Sequence, residues 1–271
     1  MSRCAAKKLS EKGGWSCHRG RIGRYRYQHK LRGRLFRPPY PPLVFDVLAG
    51  LLPPQPRRIL DAGCGTGALA RHLPRFGLPI DAVDISAAMV RRGQRLPGGA
   101  HPLIHWSIDP IERVPLHPPY SLVVTGDSLH WMDWHVVLPR FANLLQPHGR
   151  LAVLELDHAA LPWSDDLRRV IQRYSTNRAY QALDLVTELT RRKLFVEEGR
   201  ANTPPWPFRQ SVQAYVESFH GRASFSRERM RPADAVAFDR AVRALVTQFT
   251  HEEVELPLVT RIVWGTPVAR S

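Results

Sequence analysis

Three glycines at every second position make one short stretch of the chain suited to close contact with a ligand. The stretch reads Ile59-Leu-Asp-Ala-Gly-Cys-Gly-Thr-Gly67, and its apolar beginning favours a β-strand. Because glycine has no Cβ, a turn built from glycines brings backbone N–H groups close to a bound group. The spacing G-x-G-x-G differs from the dinucleotide pattern G-x-G-x-x-G, and no G-K-[ST] follows, which excludes a phosphate-binding P-loop.

A carboxylate follows where the second strand is predicted to end. Asp84 lies in Val83-Asp-Ile-Ser86, 17 residues after Gly67. An acidic side chain at this place accepts hydrogen bonds from both hydroxyls of a ribose, as it does in NAD proteins. The acid alone does not distinguish between nucleotides, but the glycine spacing favours one without a pyrophosphate.

The elements that position these residues follow from apolar periodicity and from turn residues. Strands and helices alternate after residue 57, which predicts an α/β fold with a doubly wound parallel sheet. The predicted strands are 58–62, 79–84, 102–107, 120–125, 150–156, 195–202 and 258–265. The predicted helices are 43–50, 67–76, one from Ser86 as N-cap, and 134–145.

The second half of the chain adds helices to this pattern. Apolar residues repeat at i, i+3, i+4 and i+7 from Leu167, from Val212 and from Val242, and each repeat predicts a helix. We expect segments 158–193 and 204–250 to form a helical lid over the carboxyl edge of the sheet, where open α/β sheets bind their ligands.

The net charge of +15 is concentrated at one end of the chain. Residues 1–37 hold twelve Lys/Arg and one acidic residue, whereas the rest holds 27 basic and 23 acidic residues. We expect 1–35 to be a disordered basic tail and 36–271 to be the folded domain. The alternatives for this tail are nucleic-acid binding, through arginines interleaved with aromatic residues, and organelle targeting.

Composition excludes several classes of protein. No apolar run of about 18 residues is present, so we expect no membrane partner. The three cysteines, Cys4, Cys17 and Cys64, are too few and too scattered for a disulfide framework, which favours the reducing cytoplasm. Their spacing fits no common zinc pattern, and we predict no metal.

The glycine stretch, taken with Val83-Asp-Ile-Ser-x-x-Met89, resembles class I S-adenosylmethionine-dependent methyltransferases. The resemblance extends from about Phe36 to Pro267. Ser128-Leu-His-Trp131 and the segment 207–230 resemble the small-molecule branch that includes trans-aconitate methyltransferase. The resemblance implies S-adenosyl-L-methionine as cofactor and a seven-stranded, mostly parallel sheet whose last strand is antiparallel.

The resemblance also implies the contacts of each cofactor group. Asp61, Gly63 and Gly65 would lie against the methionine part, and the carbonyl of Thr125 or Gly126 would accept the cofactor's amino group. Asp84 would bind the ribose. Asp109 or Ile111 would contact the adenine amino group, although Pro110 departs from the family pattern there. The full predicted cofactor set is Asp61, Gly63, Cys64, Gly65, Gly67, Asp84, Ile85, Met89, Asp109, Ile111, Thr125 and Gly126.

Residues near the end of the fourth strand are candidates for contact with the methyl acceptor. His130 could hydrogen-bond an acceptor carboxylate or act as a base for a hydroxyl, and Trp131 could exclude water. The alternative is that both residues are structural. Arg37 could bind an anion of the cofactor or of the substrate, or belong to the basic tail. The further predicted substrate contacts are Trp134, Tyr215 and His220.

Two functions remain open at this point. The favoured one is methyl transfer to a small molecule, with a carboxylate as a candidate acceptor. The alternative is an RNA- or protein-modifying enzyme that grips its substrate through the Arg-rich tail, which would be the route by which a nucleic acid binds. A cofactor-binding protein without activity is a third, weaker interpretation. The sequence is silent on oligomeric state.

Overall fold

The computed structural model describes residues 36–177 and 184–269. Within them the chain forms seven α-helices and eight β-strands. The predicted tail at residues 1–35, with Cys4 and Cys17, lies outside the described residues. The strands are β1 (Ile59–Ala62), β2 (Ile80–Asp84), β3 (Ile104–Ile108), β4 (Tyr120–Gly126), β5 (Leu145–His158), β6 (Phe195–Asn202), β7 (Trp206–Ser211) and β8 (Glu253–Pro267). The helices are α1 (Leu43–Gly50), α2 (Ala87–Arg95), α3 (Trp134–Leu144), α4 (Ser164–Tyr174), α5 (Leu185–Arg191), α6 (Val212–Phe219) and α7 (Pro232–Val246).

The strands form one mixed sheet in the order β3-β2-β1-β4-β5-β8-β6. Strands β1 to β5 pair in parallel, and β8 is antiparallel to β5 and to β6. The predicted doubly wound, mostly parallel sheet is therefore confirmed, with the antiparallel last strand that the resemblance implied. Because the parallel strands end together, Ala62, Asp84, Ile108 and Gly126 all lie at one edge.

An eighth strand extends the predicted set of seven. β7 pairs with the first half of β8, from Glu253 to Leu258, while β6 pairs with the second half. This segment was predicted to belong to the helical lid at 204–250, and it contains Pro207. Proline is tolerated in an edge strand, where its missing N–H need not pair.

The predicted helix at 67–76 is the clearest error in the assignment of elements. Successive turns occupy the segment, followed by a short 3-10 helix at Leu73–Phe76. Gly67 has φ +74° and Gly77 has φ +69°, both in the left-handed region, and Pro74 lies between them. A regular α-helix accommodates neither conformation, so the segment forms separate turns, closed by bonds such as that from Arg71 N–H to the carbonyl of Gly67 at 3.0 Å.

Apolar side chains cover both faces of the sheet and fill a separate lid core. Leu122 and Val124 of β4 face one cluster with α1, and Val123 faces another with α3 and α5. Helices α4, α6 and α7 pack together with β7 and the beginning of β8 in a third cluster. Of the predicted lid segment 158–193, α4 thus lies in the lid core, whereas α5 packs against the sheet.

Candidate functional site

The loop after β1, here called the glycine loop, has glycine at three alternate positions, and all three have a left-handed backbone conformation. Gly63, Gly65 and Gly67 have φ values of +74°, +58° and +74°. The N–H groups of Gly63 and Cys64 donate to the carbonyl of Val83 at 2.8 and 2.9 Å, so the loop is fixed to the end of β2. A side chain at any of these glycines would force a strained backbone, which explains the spacing of the motif in physical terms.

Asp61 stabilises this loop from inside the protein. Its side chain is buried, and its Oδ2 accepts a hydrogen bond from the N–H of Ala70 at 3.0 Å. Burial raises the pKa of Asp61 to about 7, the Ala70 hydrogen bond opposes this, and the charge of Asp84 adds to it. Cys64 is buried as well, and burial raises the pKa of its thiol, which makes it a poor nucleophile.

Two backbone N–H groups orient the carboxylate of Asp84. Gly65 N–H donates to its Oδ2 at 2.8 Å, and Ser86 N–H donates to its Oδ1 at 2.7 Å. Ser86 also caps α2 through a hydrogen bond from Met89 N–H at 3.4 Å, as predicted. These two bonds fix the orientation of the Asp84 carboxylate at the end of β2.

Apolar side chains lie beside this carboxylate. Ile85 is 52% exposed, and Ile108, which pairs with Asp84 across β2 and β3, is 47% exposed. The sequence analysis named Ile85 but missed Ile108, which the register of β3 against β2 would have identified. Met89 is buried in the first turn of α2.

Asp109 and Ile111, the two residues predicted to contact the adenine amino group, both make contacts within the protein. Asp109 pairs with Arg113, with 3.0 Å between Oδ1 and Nε. The side chain of Ile111 is 6% exposed and packs in the core beside Val114. An adenine contact by the side chain of Ile111 would therefore require that core to open.

The end of β4 meets the segment before α1. Gly126 lies so close to Tyr40 that an added Cβ would come within 2.5 Å of the Tyr40 hydroxyl. The Thr125 side chain is buried and donates to the carbonyl of Ala152 at 3.5 Å. Asp127 follows with φ +48°, and its Oδ2 lies 3.6 Å from Nη1 of Arg37. The structure thus brings Arg37 to the edge of the sheet where the glycine loop lies.

The segment 128–131 packs directly on the glycine loop. Ser128 Oγ donates to the carbonyl of Ala62 at 2.7 Å, and an added Cβ on Gly63 would lie 2.5 Å from Ser128 Cβ. His130 and Trp131 are both exposed, with ring centroids 5.0 Å apart. The sequence analysis quoted the Ser-Leu-His-Trp motif without giving Ser128 a role, and only the fold reveals it.

Three predicted substrate contacts have their polar atoms engaged within the protein. Trp134 packs against the sheet core, and its Nε1 donates to the carbonyl of Leu129 at 2.8 Å. Tyr215 is 2% exposed, with its hydroxyl 3.4 Å from Nε1 of Trp163. His220 is 3% exposed, and its nitrogens lie 2.6 Å from the carbonyl of Phe225 and 2.7 Å from Oδ1 of Asp239.

These contacts correct the prediction that Tyr215 and His220 face the substrate. Both side chains are enclosed by the lid, because α6 turns its apolar face towards α7 and carries them with it. Arg222, just after α6, is the exposed side chain at this place.

No group of three His, Cys, Asp or Glu side chains in the described part of the chain could hold a metal ion. Likewise, no helix among the residues that the structure describes is both long and apolar enough to cross a membrane.

Residues 59–149 match a family model described as a methyltransferase domain. An uncharacterised methyltransferase of Mycobacterium tuberculosis is 33% identical over 139 residues, covering 51% of this chain and 54% of the relative. A malonyl-[acyl-carrier protein] O-methyltransferase of Enterobacter lignolyticus is 26% identical over 210 residues, covering 76% and 72%. The chain spans about half the length of the mycobacterial relatives that it matches.

Solved structures agree on the fold. A putative type II methyltransferase of Anaeromyxobacter dehalogenans aligns with a TM-score of 0.59 at 21% identity, covering 86% of this chain and 99% of that one. A putative methyltransferase from an antibiotic biosynthesis pathway of Anabaena variabilis aligns with a TM-score of 0.56 at 17% identity, covering 87% and 99%.

Proposed function

We propose that the protein transfers a methyl group from S-adenosylmethionine to a carboxylate of a small molecule; the match of residues 59–149 to a methyltransferase domain supports this. The observation that carries the proposal is the joint geometry of the glycine loop and Asp84, in which Gly65 N–H orients the carboxylate at 2.8 Å. S-adenosylmethionine supplies a methyl group activated by a sulfonium, so the protein's contribution is chiefly to bind and align the reactants.

The residues at the sheet edge fit this cofactor group by group. Asp84 offers its carboxylate to the ribose hydroxyls, and Ile85 and Ile108 offer apolar surface to the adenine. The glycine loop would pass the methionine part at Gly65, which has no side chain, whereas the missing Cβ of Gly63 makes room for Ser128. Asp61 acts from below by holding the loop through Ala70 N–H.

The acceptor would lie on the other side of the loop, between the end of β4 and the lid. A carboxylate acceptor needs no general base, because it is ionised at neutral pH. His130 then serves as a hydrogen-bond donor to the acceptor, and Trp131, which is 54% exposed, excludes water once a ligand covers it. The name of the O-methyltransferase relative from Enterobacter lignolyticus supports oxygen as the accepting atom.

A binding measurement tests the cofactor assignment. Asp84→Ala should weaken S-adenosylmethionine binding about 10- to 100-fold, the loss expected for hydrogen bonds to a charged group. Asp46→Ala, an exposed carboxylate of α1, is the matched control and should bind as the wild type does. Circular dichroism would verify that both variants fold. Wild-type protein without affinity for S-adenosylmethionine would refute the proposal.

A transfer measurement tests the acceptor class. The protein would be incubated with methyl-tritiated S-adenosylmethionine and a dialysed cell extract, with and without the extract's small metabolites. Label in an acid-extractable small-molecule fraction, found only when metabolites are added, is the expected result. Label in RNA or protein without added metabolites would overturn the small-molecule assignment and favour a macromolecular substrate.

A further inference from the structure

Arg222 is an exposed arginine of the lid. It follows α6 directly, and its backbone N–H donates to the carbonyl of Phe219 at 2.9 Å. Its guanidinium carbon lies 5.0 Å from the centroid of the Phe219 ring, so an aromatic face supports it from one side. Among the residues that the structure describes, no hydrogen bond or ion pair engages this guanidinium.

Two neighbouring arginines of the lid differ from Arg222 in this respect. Arg227 makes ion pairs with Glu217 at 2.7 Å and with Asp239 at 2.9 Å. Arg231 pairs with Asp234 at 2.7 Å. A guanidinium has five donors in a planar fork suited to a carboxylate, and these two arginines use part of that capacity within the protein. Arg222 keeps its fork available for a ligand.

The charges around Arg222 show which space it faces. Its side chain is exposed, yet the surrounding protein atoms displace part of its water and lower its pKa, and the nearby charge of Arg37 lowers it further. Tyr215, Asp157 and Asp127 oppose this change. The charged groups near Arg222 are therefore Arg37, Asp127, which follows β4, and Asp157 of β5.

Arg37 and Arg222 repel each other across this space, and only one has a carboxylate partner. Arg37 lies 3.6 Å from Asp127, whereas Asp157 is an exposed residue whose Oδ1 accepts from His158 N–H at 2.9 Å. A bound anion beside Arg222 would relieve the repulsion and engage the unused fork. Hydrogen bonds between charged groups are stronger than those between neutral groups, and a bidentate arrangement makes them selective for planar anions such as carboxylates.

We propose that Arg222 binds a carboxylate of the methyl acceptor and thereby selects anionic acceptors over neutral molecules of the same shape. The inference rests on the proposed function, since it assigns a residue to the acceptor of that reaction. Arg222 is thus a specificity-determining residue.

The experiment uses the full chain and the metabolite pool described above, divided by an anion-exchange resin. Wild-type protein should label acceptors only in the fraction retained by the resin, and treatment of that fraction with phosphatase should not change the labelling. Arg222→Gln should raise the half-saturating amount of this fraction about 10- to 100-fold. Arg222→Lys keeps the positive charge but loses the planar guanidinium, so its half-saturating amount should lie between those of the wild type and Arg222→Gln.

The control is Arg229→Gln, an exposed arginine in the same connection, which should behave as the wild type. S-adenosylmethionine affinity should be the same in all four proteins, so that a change reports on the acceptor alone. Label in the unretained fraction, loss of label after phosphatase, or an unchanged half-saturation in Arg222→Gln would overturn the inference while leaving the methyltransferase proposal intact. Wild-type protein that binds no S-adenosylmethionine would refute the proposed function, and the inference with it.

Discussion

Replacement of Gly63 by alanine should damage the glycine loop in two separable ways. The backbone at Gly63 has φ +74°, a conformation that L-residues rarely adopt. The new Cβ would also lie 2.5 Å from Cβ and 2.9 Å from Oγ of Ser128. Ser128 is 8% exposed, and its hydroxyl holds the carbonyl of Ala62 at 2.7 Å, so it cannot move without losing that hydrogen bond.

A second glycine separates the two contributions. Gly77 has φ +69°, yet an added Cβ there has no atom within 4 Å. Gly77→Ala should therefore cost only the backbone strain, about 1–2 kcal/mol. Gly63→Ala should cost that strain plus overpacking of about 1–3 kcal/mol. The predicted difference between the variants is thus about 1–3 kcal/mol in free energy of unfolding.

Urea unfolding of the wild type and both variants, followed by circular dichroism, measures this difference through the midpoint and slope of each transition. Affinity for S-adenosylmethionine should fall in Gly63→Ala and remain unchanged in Gly77→Ala, since the second glycine lies outside the loop. Equal destabilisation of the two variants would refute the claim that Ser128 is packed rigidly against Gly63.

The remaining predictions concern two buried ionisable groups. The folded-state pKa of Asp61 is raised from 3.8 to about 7, so folding retains its proton and wild-type stability should fall as pH rises between these values. In Asp61→Asn, the free energy of unfolding measured with urea should lose up to about 4 kcal/mol of that pH dependence. Wild type and variant whose free energies of unfolding change with pH in parallel would contradict this prediction. His220→Leu should lower stability by about 1–3 kcal/mol, since Asp239 and Phe225 lose a donor. Thermal unfolding measures this loss against exposed His135→Leu, and lost methyl transfer at unchanged stability would restore His220 to the substrate site.

The sequence predicts those elements of the fold whose conformation depends on the residues within the element itself. β6 was predicted as 195–202 and observed as Phe195–Asn202, because its residues alternate between the two faces of the sheet. The spacing of Gly63, Gly65 and Gly67 was likewise informative, because each of them has a left-handed backbone conformation that favours glycine. The turns that replace the predicted helix at 67–76 follow from Gly67, Pro74 and Gly77, whose effects outweigh the apolar pattern.

Long-range pairing accounts for what the sequence analysis missed. His220 was expected to face the substrate, but Asp239, 19 residues away on the next helix, engages it inside the lid. Ile108 escaped attention because its place beside Asp84 depends on the register of β3 against β2. Neither partner can be found without knowing which elements are neighbours. The assignment of residues to cofactor and acceptor stays a prediction until the binding measurements are made.

The position of β8 has a consequence for how the chain is synthesised and folded. This strand follows β6 and β7 in the chain, yet in the described sheet both pair with it, and it in turn pairs with β5. During synthesis, strands β1 to β5 can assemble as their residues leave the ribosome, whereas β6 and β7 must wait for a later strand. The lid core shares this delay, because Val254, Leu256 and Leu258 of β8 belong to it. A nascent chain halted before residue 253 should therefore leave uncovered the part of the lid core that these three residues fill, an apolar surface prone to aggregation.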